Sequence, residues 1–421
     1  MPEDQKEQST DVKLSVRLIR MFKRNLFFAF LVRAVVVCAC LLGIWESWRI
    51  ERADALYLQG TAESVRAAIR LEPDCWWCYI HLARLDDSSA EESLQTSLRL
   101  NPYNSEAAID LGLRYESDGE LHRAEELLLD AFEVDRSYAP RWGLANFYLR
   151  RDNLPAFWTW IRRATEMPSD DLGALFELCW RVSPDPKTIE ANILKDNPVV
   201  VRQYAVFLIG KDQLAAAVNP TRRLLLTGSQ EQDQSLLFTV LDKLIAANDA
   251  IDANDLWNRL IHQHWIVADT SVPNNPHFSR DPLPVGFDWT FSAYSGLHSW
   301  PGSTGLETEF TGEEPENCAV AEQTISLPPG DYRLESAYRT RNILPDTGIQ
   351  WEIVEAKSDK ILASSVSLSS DTLARAVLPF SVKPDEPLLR LRLAYHRSLG
   401  TSRVSGTLVV ESVRIQPVSS L

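Results

Sequence analysis

Two cysteines flank a pair of tryptophans in Cys75-Trp76-Trp77-Cys78, the short motif with the most direct chemical meaning in this chain. A Cys-x-x-Cys pair can act as a redox couple or as half of a metal site. The βαβ pattern of thioredoxin-like proteins is missing, and no second pair completes a four-thiolate site, which leaves only a cluster with His81 for a metal. The pattern favours a helix start at which Cys75 and Cys78 pack together or form a disulfide bridge in an oxidising compartment.

Aromatic side chains in the C-terminal third are the second candidate group, because exposed rings can stack on sugars. Trp351 and Tyr395 fall on alternating apolar patterns and are predicted to be core residues. Trp300 stands in a Gly-rich stretch that is predicted to be an exposed loop. We therefore assign possible glycan contact to Trp300 first, and then to Trp289 and Tyr294.

Recognised catalytic motifs are absent from the sequence. It contains no Gly-x-x-x-x-Gly-Lys, no Gly-x-Gly-x-x-Gly, no His-Glu-x-x-His and no Gly-x-Ser-x-Gly. His262 and His264 would point about 200° apart on a helix and could not chelate one ion. We expect no catalytic residue, no metal site and no cofactor; a glycoside hydrolase with a carboxylate pair in one cleft stays open as an alternative.

Composition and charge exclude one class of partner. The 421 residues are 45% hydrophobic and 24% charged, which is typical of folded chains with roughly two or three domains. Residues 1–49 carry eight Lys or Arg and five Asp or Glu, a net charge of +3, so the remainder carries −18. Such an acidic body repels phosphate backbones, and we expect no nucleic-acid partner.

An apolar run from Leu26 to Trp45 is interrupted only by Arg33. Its twenty residues would rise about 30 Å as a helix, which matches the thickness of a bilayer core. Basic residues precede the run, namely Lys13, Arg17, Arg20, Lys23 and Arg24. We therefore predict a cytoplasmic basic tail at residues 1–25, a single transmembrane helix at 26–48 and a periplasmic body at the inner membrane.

Cleavage or lipidation of this segment remains an alternative to a retained anchor. No small-x-small site follows the run, because Trp45, Glu46 and Trp48 are poor neighbours for a signal peptidase. Cys40 lacks the residues of a lipidation box, and further apolar residues follow it. A helix lying on the membrane surface would need a polar face, which the run does not have.

Residues 50–265 show apolar side chains at spacings of three and four, which predicts helices throughout. The most regular unit spans residues 103–136. Small residues in it mark where two helices approach closely, large ones fill the gaps around that contact, and one glycine stands in the turn. In chain order these residues are Leu111, Gly112, Tyr115, Gly119, Ala124, Leu128 and Ala131. In the next unit, Trp142 takes the aromatic position of the first helix.

This order of small and large residues resembles the tetratricopeptide-repeat superfamily, whose period is about 34 residues. Ala108 replaces the large residue that the family carries early in its first helix. The resemblance implies roughly five to six helical pairs at residues 49–268, stacked as a solenoid whose concave face holds a protein or peptide. Trp48–Tyr57 would be the first helix of the array, continuous with the anchor. A generic helical bundle is the alternative.

Prolines at positions 273, 276, 282 and 284 mark residues 269–286 as a Pro-rich linker or an edge-hugging loop. The periodicity then changes to alternation, which predicts antiparallel strands. Nine strands are predicted: Phe287–Phe291, Leu306–Phe310, Val320–Leu327, Tyr332–Arg339, Ile349–Glu355, Ile361–Val366, Arg375–Val382, Leu388–Tyr395 and Thr407–Ile415. Their number and spacing point to a β-sandwich at residues 287–421.

The order of these strands resembles the jelly-roll domains of extracellular proteins, including carbohydrate-binding modules. The expected fold class is therefore multidomain α + β, with a transmembrane helix, an α-solenoid of tetratricopeptide-like hairpins and an antiparallel sandwich. The expected function is a non-catalytic, membrane-anchored interaction scaffold of the bacterial envelope, linked to polysaccharide synthesis, export or surface assembly. Glycan recognition by the sandwich is the alternative function.

Overall fold

The computed structural model describes residues 4–167, 171–195, 197–283 and 285–418, with side chains from Phe30 onward. These residues form two compact units, Met1–Met167 and Pro168–Leu421. Pro168, where the repeat pattern weakens, and Pro284 of the predicted linker lie outside the described residues.

Helix α1 (Asp4–Tyr57) is one continuous element of 54 residues. Its part from Phe30 to Tyr57 is the one described stretch that is long and apolar enough to cross a membrane. The last turns of α1 pack against α2 (Ala62–Leu71), where Ala53 is buried and the Arg49 guanidinium donates to the Leu71 carbonyl. The apolar helix therefore continues into the first hairpin, as the sequence predicts.

Six further helices complete the first unit, each separated from the next by a short turn. They are α3 (Trp76–Leu85), α4 (Ala90–Leu100), α5 (Ser105–Ser117), α6 (Leu121–Val134), α7 (Tyr138–Arg150) and α8 (Leu154–Thr165). The helices pair as α1 with α2, α3 with α4, α5 with α6 and α7 with α8, and each pair also contacts the next. The predicted array of helical hairpins is therefore confirmed, and the connection between α3 and α4 contains one turn of 3-10 helix, Asp87–Ser89.

Side chains at the helix ends account for where these hairpins turn. Asn104 begins α5 by accepting from the backbone N–H groups of Glu106 and Ala107, two donors that have no partner within the helix. Gly119 has a φ of +84° between α5 and α6, a backbone conformation that favours glycine. Asn153 begins α8 in the same way as Asn104, through the Ala156 N–H.

The described residues of the second unit begin with six helices. They are α9 (Gly173–Val182), α10 (Pro186–Ile193), α11 (Pro198–Gly210), α12 (Leu214–Thr227), α13 (Gln230–Ala246) and α14 (Ala250–His262). They pair as α9/α10, α11/α12 and α13/α14, so the described helices form seven pairs where five to six were predicted, and the short pair α9/α10 is the addition. That pair has ten and eight residues, too few turns to show a clear apolar period.

Ten strands follow in the described part of residues 285–418, one more than predicted. They are β1 (Trp289–Phe291), β2 (Leu297–Gly302), β3 (Gly305–Phe310), β4 (Asn317–Ser326), β5 (Gly330–Arg341), β6 (Ile349–Glu355), β7 (Ile361–Ser364), β8 (Ala374–Val382), β9 (Leu388–His396) and β10 (Gly406–Pro417). The stretch around Trp300 is strand β2 rather than the predicted Gly-rich loop. Pro301 and Gly302 made this strand hard to predict, because proline and glycine are unfavourable inside most strands. They are tolerated mainly on edge strands, and β2 is an edge strand.

The strands form two five-stranded antiparallel sheets. Sheet 1 has the order β1-β4-β9-β6-β7 and sheet 2 the order β2-β3-β10-β5-β8. Alternate side chains of both sheets meet in one core, which includes Trp351 and Tyr395 as predicted. The C-terminal part is therefore an antiparallel β-sandwich of the jelly-roll type.

The described residues of the segment 269–286 are not a free linker, so the first of its two interpretations was wrong. Asn274, Asn275 and Phe278 are buried against the sandwich, and the Gly286 N–H donates to Asp242 of α13 at 3.0 Å. Phe287 and Leu388 share an apolar cluster with α13 and α14. Residues 171–268 therefore belong to one compact unit with the sandwich, although they were predicted to be part of a separate repeat domain.

Candidate functional site

The side chains predicted to pack the α5/α6 hairpin meet in its interior. Leu111, Tyr115, Ala124, Leu128 and Ala131 are all buried. Gly112 lies so close to α6 that a Cβ added to it would stand 3.2 Å from Leu128 Cγ and 3.3 Å from the Ala124 carbonyl oxygen. Trp142 on α7 is half-buried and stacks on Tyr138 with ring centroids 5.9 Å apart.

A surface formed by α3, α5 and α7 is the main candidate for binding, because it combines uncovered apolar side chains with paired charges. We call it the first-helix face, since it is built from the first helix of each hairpin. It consists of Trp77 and Arg84 on α3, Glu106, Ile109, Asp110, Leu113 and Glu116 on α5, and Gly143 and Arg150 on α7. Residues 106, 109, 110, 113 and 116 follow each other at helical spacing, so they form one stripe of α5.

Ion pairs connect neighbouring first helices across this face. The Arg84 guanidinium lies 2.7 Å from the Asp110 carboxylate and 2.8 Å from that of Glu106. On the other side of α5, Arg150 contacts the Glu116 carboxylate at 2.6 Å. The hydrogen bond from Arg150 is the main reason why the pKa of Glu116 is lowered.

The charges of the first-helix face are therefore largely neutralised within it, and its apolar side chains remain open. Trp77 and Leu113 are exposed. Ile109 is half-buried, and its side chain lies next to Gly143. An open depression of about 200 Å³ between α3, α4 and α5 is lined by both apolar and charged groups of this region, among them Leu94, Arg84 and Leu113. Such a surface can take an apolar side chain from another polypeptide, with polar groups around it.

Cys75 and Cys78 are joined by a disulfide bond at the start of α3, with their Cα atoms 5.4 Å apart. Both are buried in a small cluster with Val65 and Leu82. The sulfur atoms are thus bonded to each other, and the His81 ring contacts Tyr57 at a centroid distance of 5.1 Å. Among the residues that the structure describes, no group of three or more His, Cys, Asp or Glu side chains could hold a metal ion.

A second candidate surface lies on the outer face of sheet 2. Trp300 pairs with Glu307, Glu307 with Val409, and Val409 with Arg339 across four adjacent strands. Since neighbouring strands lie about 4.8 Å apart, this row spans roughly 14 Å. We call these four residues, together with Arg341 and Asp371, the second-sheet face; a shallow cavity of about 320 Å³ lies along it.

The three aromatic residues proposed for glycan contact have different positions. Trp300 is 40% exposed and lies at the edge of the second-sheet face, and Tyr294 is 42% exposed in the turn before β2. Trp289 is wrong as a glycan-contacting residue, because it is fully buried and its Nε1 donates to the Asn274 carbonyl at 2.9 Å. The loop that carries Asn274 packs against Trp289 of β1, so this ring lies in the core.

Sequence reasoning missed the polar members of both surfaces. Glu307 could have been found, because it and Glu309 occupy alternate positions of a predicted strand and must share one face. The pairing of Arg84 with Asp110 could not have been predicted from the sequence. Neither could the alignment of Arg339 with Trp300. Each joins residues that come together only when hairpins stack or strands select their neighbours.

Comparison with known proteins yields structural similarity only. No protein-family model matches the chain, and no curated protein sequence matches it. YrrB, described as a TPR protein with an unusual peptide-binding site, aligns with 48% of this chain and 93% of its own, at 13% identity and a TM-score of 0.24. PilF of Pseudomonas aeruginosa aligns with 51% of this chain and 92% of its own, at 15% identity and a TM-score of 0.26.

A CBM4 structure aligns with 35% of this chain and 99% of its own, at 13% identity and a TM-score of 0.28. The fold of this chain is therefore assigned from the contacts between its own helices and strands. Its described helices pair as hairpins, and its C-terminal part is a β-sandwich.

Proposed function

We propose that this protein is a membrane-anchored, non-catalytic scaffold whose first-helix face binds another polypeptide. The observation that carries the proposal is the pattern of that face, where Trp77, Ile109 and Leu113 stand among charges that are already paired. Charges that are paired within the face need no counter-ion from a partner, although covering them removes their hydration. Burial of the exposed apolar area supplies the favourable free energy, at about 25 cal/mol per Å². Binding at this face is therefore favoured by its own composition.

The proposed anchor is the apolar part of α1. Its side chains, including Phe30, Val36, Leu42 and Trp45, are exposed around the helix. A contiguous apolar surface of this size is unfavourable in water and favourable in a bilayer. The basic residues before it favour a cytoplasmic N-terminus, which would put both units in the periplasm at the inner membrane.

The helix that leaves the membrane is also the first helix of the array, so the scaffold has no flexible connection to its anchor. Residues from Arg49 to Tyr57 continue α1 and pack on α2. The first hairpin is thereby kept beside the membrane surface. A partner that itself lies in or near the membrane fits this placement. We propose that the scaffold and its partner act in polysaccharide synthesis, export or surface assembly at the envelope.

Site-specific photo-crosslinking in native membranes tests this function. A photoreactive side chain at Leu113 should form crosslinks to a discrete envelope protein. The same probe at Glu126, an exposed position on the second helix α6, is the matched control and should not form them. Equal crosslinking from both positions, or crosslinks to cytoplasmic proteins only, would contradict the proposal.

Glycan binding at the second-sheet face is the second candidate function, and exposure of Trp300 favours it. Its ring lies in one row with a carboxylate and a guanidinium, groups that hydrogen-bond to sugar hydroxyls beside a stacked ring. Binding of oligosaccharides to the full chain should weaken at least tenfold in Trp300→Ala. Retention of unchanged affinity in that variant would remove this candidate.

A further inference from the structure

The hairpins of the first unit have two edges, one at each end of their helices, and α1 determines which edge faces the proposed membrane. The Arg49 guanidinium of α1 donates to the Leu71 carbonyl, so α2 ends at the level of Arg49. Arg49 directly follows Trp48, whose ring packs on that of Trp45 with centroids 5.3 Å apart. Tryptophan rings at the end of a membrane span favour the headgroup layer. The turn that follows α2 therefore lies at the depth of the lipid headgroups.

The second hairpin returns to the same level. Helix α3 starts from this turn with ten residues, and α4 comes back with eleven, packed along it. At about 1.5 Å per residue the two rises nearly cancel, so the turn after α4 lies at the level of the turn after α2. We call residues 70–74 and 99–104, which form these two turns and the helix ends before them, the anchor-side edge. Residues 58–63 and 85–89, at the opposite ends of the same helices, form the far edge.

The two edges differ in charge. Together with Arg49, the anchor-side edge carries three arginines, one glutamate and one aspartate, a net charge of +1. The far edge carries one glutamate, two aspartates and no basic residue, a net charge of −3. Anionic lipids repel an acidic surface, whereas a surface with an excess of arginine can approach them. The edge beside the anchor is therefore the one whose charge suits a membrane.

Two arginine side chains of the anchor-side edge are open to solvent and have no carboxylate partner. Arg70 and Arg99 are exposed in the last turns of α2 and α4, and neither forms an ion pair within the described part of the chain. Beside the far edge, by contrast, Arg66 is paired with Asp86. The dipole of a helix favours a cation at its C-terminal end, which accounts for the position of Arg70 and Arg99. Their guanidinium groups remain available to lipid phosphates, which match them in charge and hydrogen-bonding geometry.

Tyr103 is a further feature that points to a lipid surface. It is 79% exposed in the turn after α4, three residues from the exposed Leu100. Leucine side chains are exposed at the far edge as well, including Leu58 and Leu85, so leucine does not distinguish the two edges. An aromatic ring does, since the far edge contains none. Tyrosine favours the boundary between water and hydrocarbon, because its ring is apolar and its hydroxyl is polar.

We propose that the anchor-side edge rests on the surface of the bilayer that holds α1, with Tyr103 among the headgroups and Arg70 and Arg99 at lipid phosphates. This inference rests on the membrane anchor of the proposed function and goes beyond it, because it adds a second contact with the lipid. With two contacts, the hairpins stand upright on the membrane. The first-helix face runs along their helices, so it extends away from the bilayer and stays open to a partner beside it.

Fluorescence quenching in lipid nanodiscs tests this contact with the full chain. A thiol-reactive fluorophore is attached through Tyr103→Cys, and the lipids carry a nitroxide quencher on their headgroups. Leu58→Cys is the matched control, because Leu58 is 81% exposed and lies nine residues beyond Arg49, about 13 Å further from the bilayer. Both variants are made in a chain whose exposed thiols are removed by Cys38→Ser and Cys40→Ser. The remaining cysteines are bridged or buried.

The label at position 103 should be quenched at least threefold more than the label at position 58. Equal quenching at the two positions would mean that the hairpins lie flat on the membrane or stand clear of it, and either arrangement would overturn the inference. If the chain stays in the nanodiscs in that case, the proposed anchor survives. Release of the chain from the nanodiscs would instead refute the anchor, and the proposed function with it, so the two failures are distinguishable.

Substitution of arginines tests their contact with phosphates. The double variant Arg70→Gln, Arg99→Gln should lower quenching at position 103 at least twofold in nanodiscs that contain anionic lipid. The double variant Arg66→Gln, Arg114→Gln removes two cations beside the far edge and should leave that quenching unchanged. An equal loss in both double variants, or no loss in the first, would overturn the assignment of Arg70 and Arg99 to lipid phosphates.

Discussion

Gly112 of α5 lies directly against Leu128 of α6: a Cβ on Gly112 would stand 3.2 Å from Leu128 Cγ. The Ala124 carbonyl oxygen lies at 3.3 Å from the same point, so backbone as well as side chain limits the space. A Cβ on Gly143 of α7 would stand 3.6 Å from Cδ2 of the same Leu128, an ordinary van der Waals distance. Two glycines that touch one leucine therefore differ in whether they can accept a side chain.

Substitution of these two glycines should have opposite effects on stability. Gly112→Val should lower the free energy of unfolding of the repeats by about 1–3 kcal/mol, because the added atoms overpack the hairpin. Gly143→Ala should be neutral or raise it by up to about 1 kcal/mol, because alanine is the better helix former. Urea denaturation followed by circular dichroism measures both, and destabilisation by Gly143→Ala equal to that by Gly112→Val would contradict this geometry.

The disulfide between Cys75 and Cys78 predicts a defined thiol count. Of the six cysteines, four should react with a thiol reagent in denatured, unreduced protein. Replacement of both by alanine should lower the free energy of unfolding by about 2 kcal/mol, since the bridge restricts the unfolded chain over a short loop. Reductant should destabilise the wild type and not the double variant. Six reactive thiols in the unreduced wild type would show that the bridge is absent.

Trp289 and Trp300 should respond differently to truncation. Trp289→Ala removes a fully buried ring and its hydrogen bond to Asn274, and it should cost about 3–5 kcal/mol in the stability of the sandwich. Trp300→Ala shortens a half-exposed ring on an edge strand and should change stability by less than about 1 kcal/mol. Thermal unfolding monitored by tryptophan fluorescence tests this, and a large loss in Trp300→Ala would place that ring in the core.

Protonation of Glu116 should weaken the first-helix face in acid. Its pKa is lowered, chiefly by the hydrogen bond from Arg150, so its stabilising contribution is fully present above the unfolded-state pKa of about 4.3. That contribution disappears as pH falls through the lower, folded-state value. Melting temperatures from pH 7 downwards should therefore show a deficit in Glu116→Gln that is greatest near neutrality and vanishes in strong acid.

Glu126, which is exposed in the middle of α6, offers a control substitution away from the helix ends. Glu126→Gln should change the free energy of unfolding by less than about 0.5 kcal/mol. A Glu116→Gln deficit that grows on acidification would contradict the assigned direction of the shift.

Much of the secondary structure could be predicted because its signals are local. Apolar residues three and four apart predict the hairpins of the first unit, and the alternation around Trp351 and Leu391 predicts β6 and β9. The reliance on local signals also explains the errors. Strand β2 contains Pro301 and Gly302, and only its pairing with β3 makes it a strand. Within the region predicted to be helical, α9 and α10 were not recognised as a pair, because ten and eight residues give too few turns to show a period.

The sequence by itself determined the order of the parts: an apolar N-terminal helix, helical hairpins with a glycine contact, and an alternating β region. These follow from residue size and polarity within a few turns or one strand. Tertiary structure alone decided that Asp110 pairs with Arg84, that residues 269–286 are packed, and that Trp289 is core while Trp300 is exposed. The reason is that burial and charge pairing depend on which distant segment lies opposite, and helical or strand periodicity carries no information about that partner.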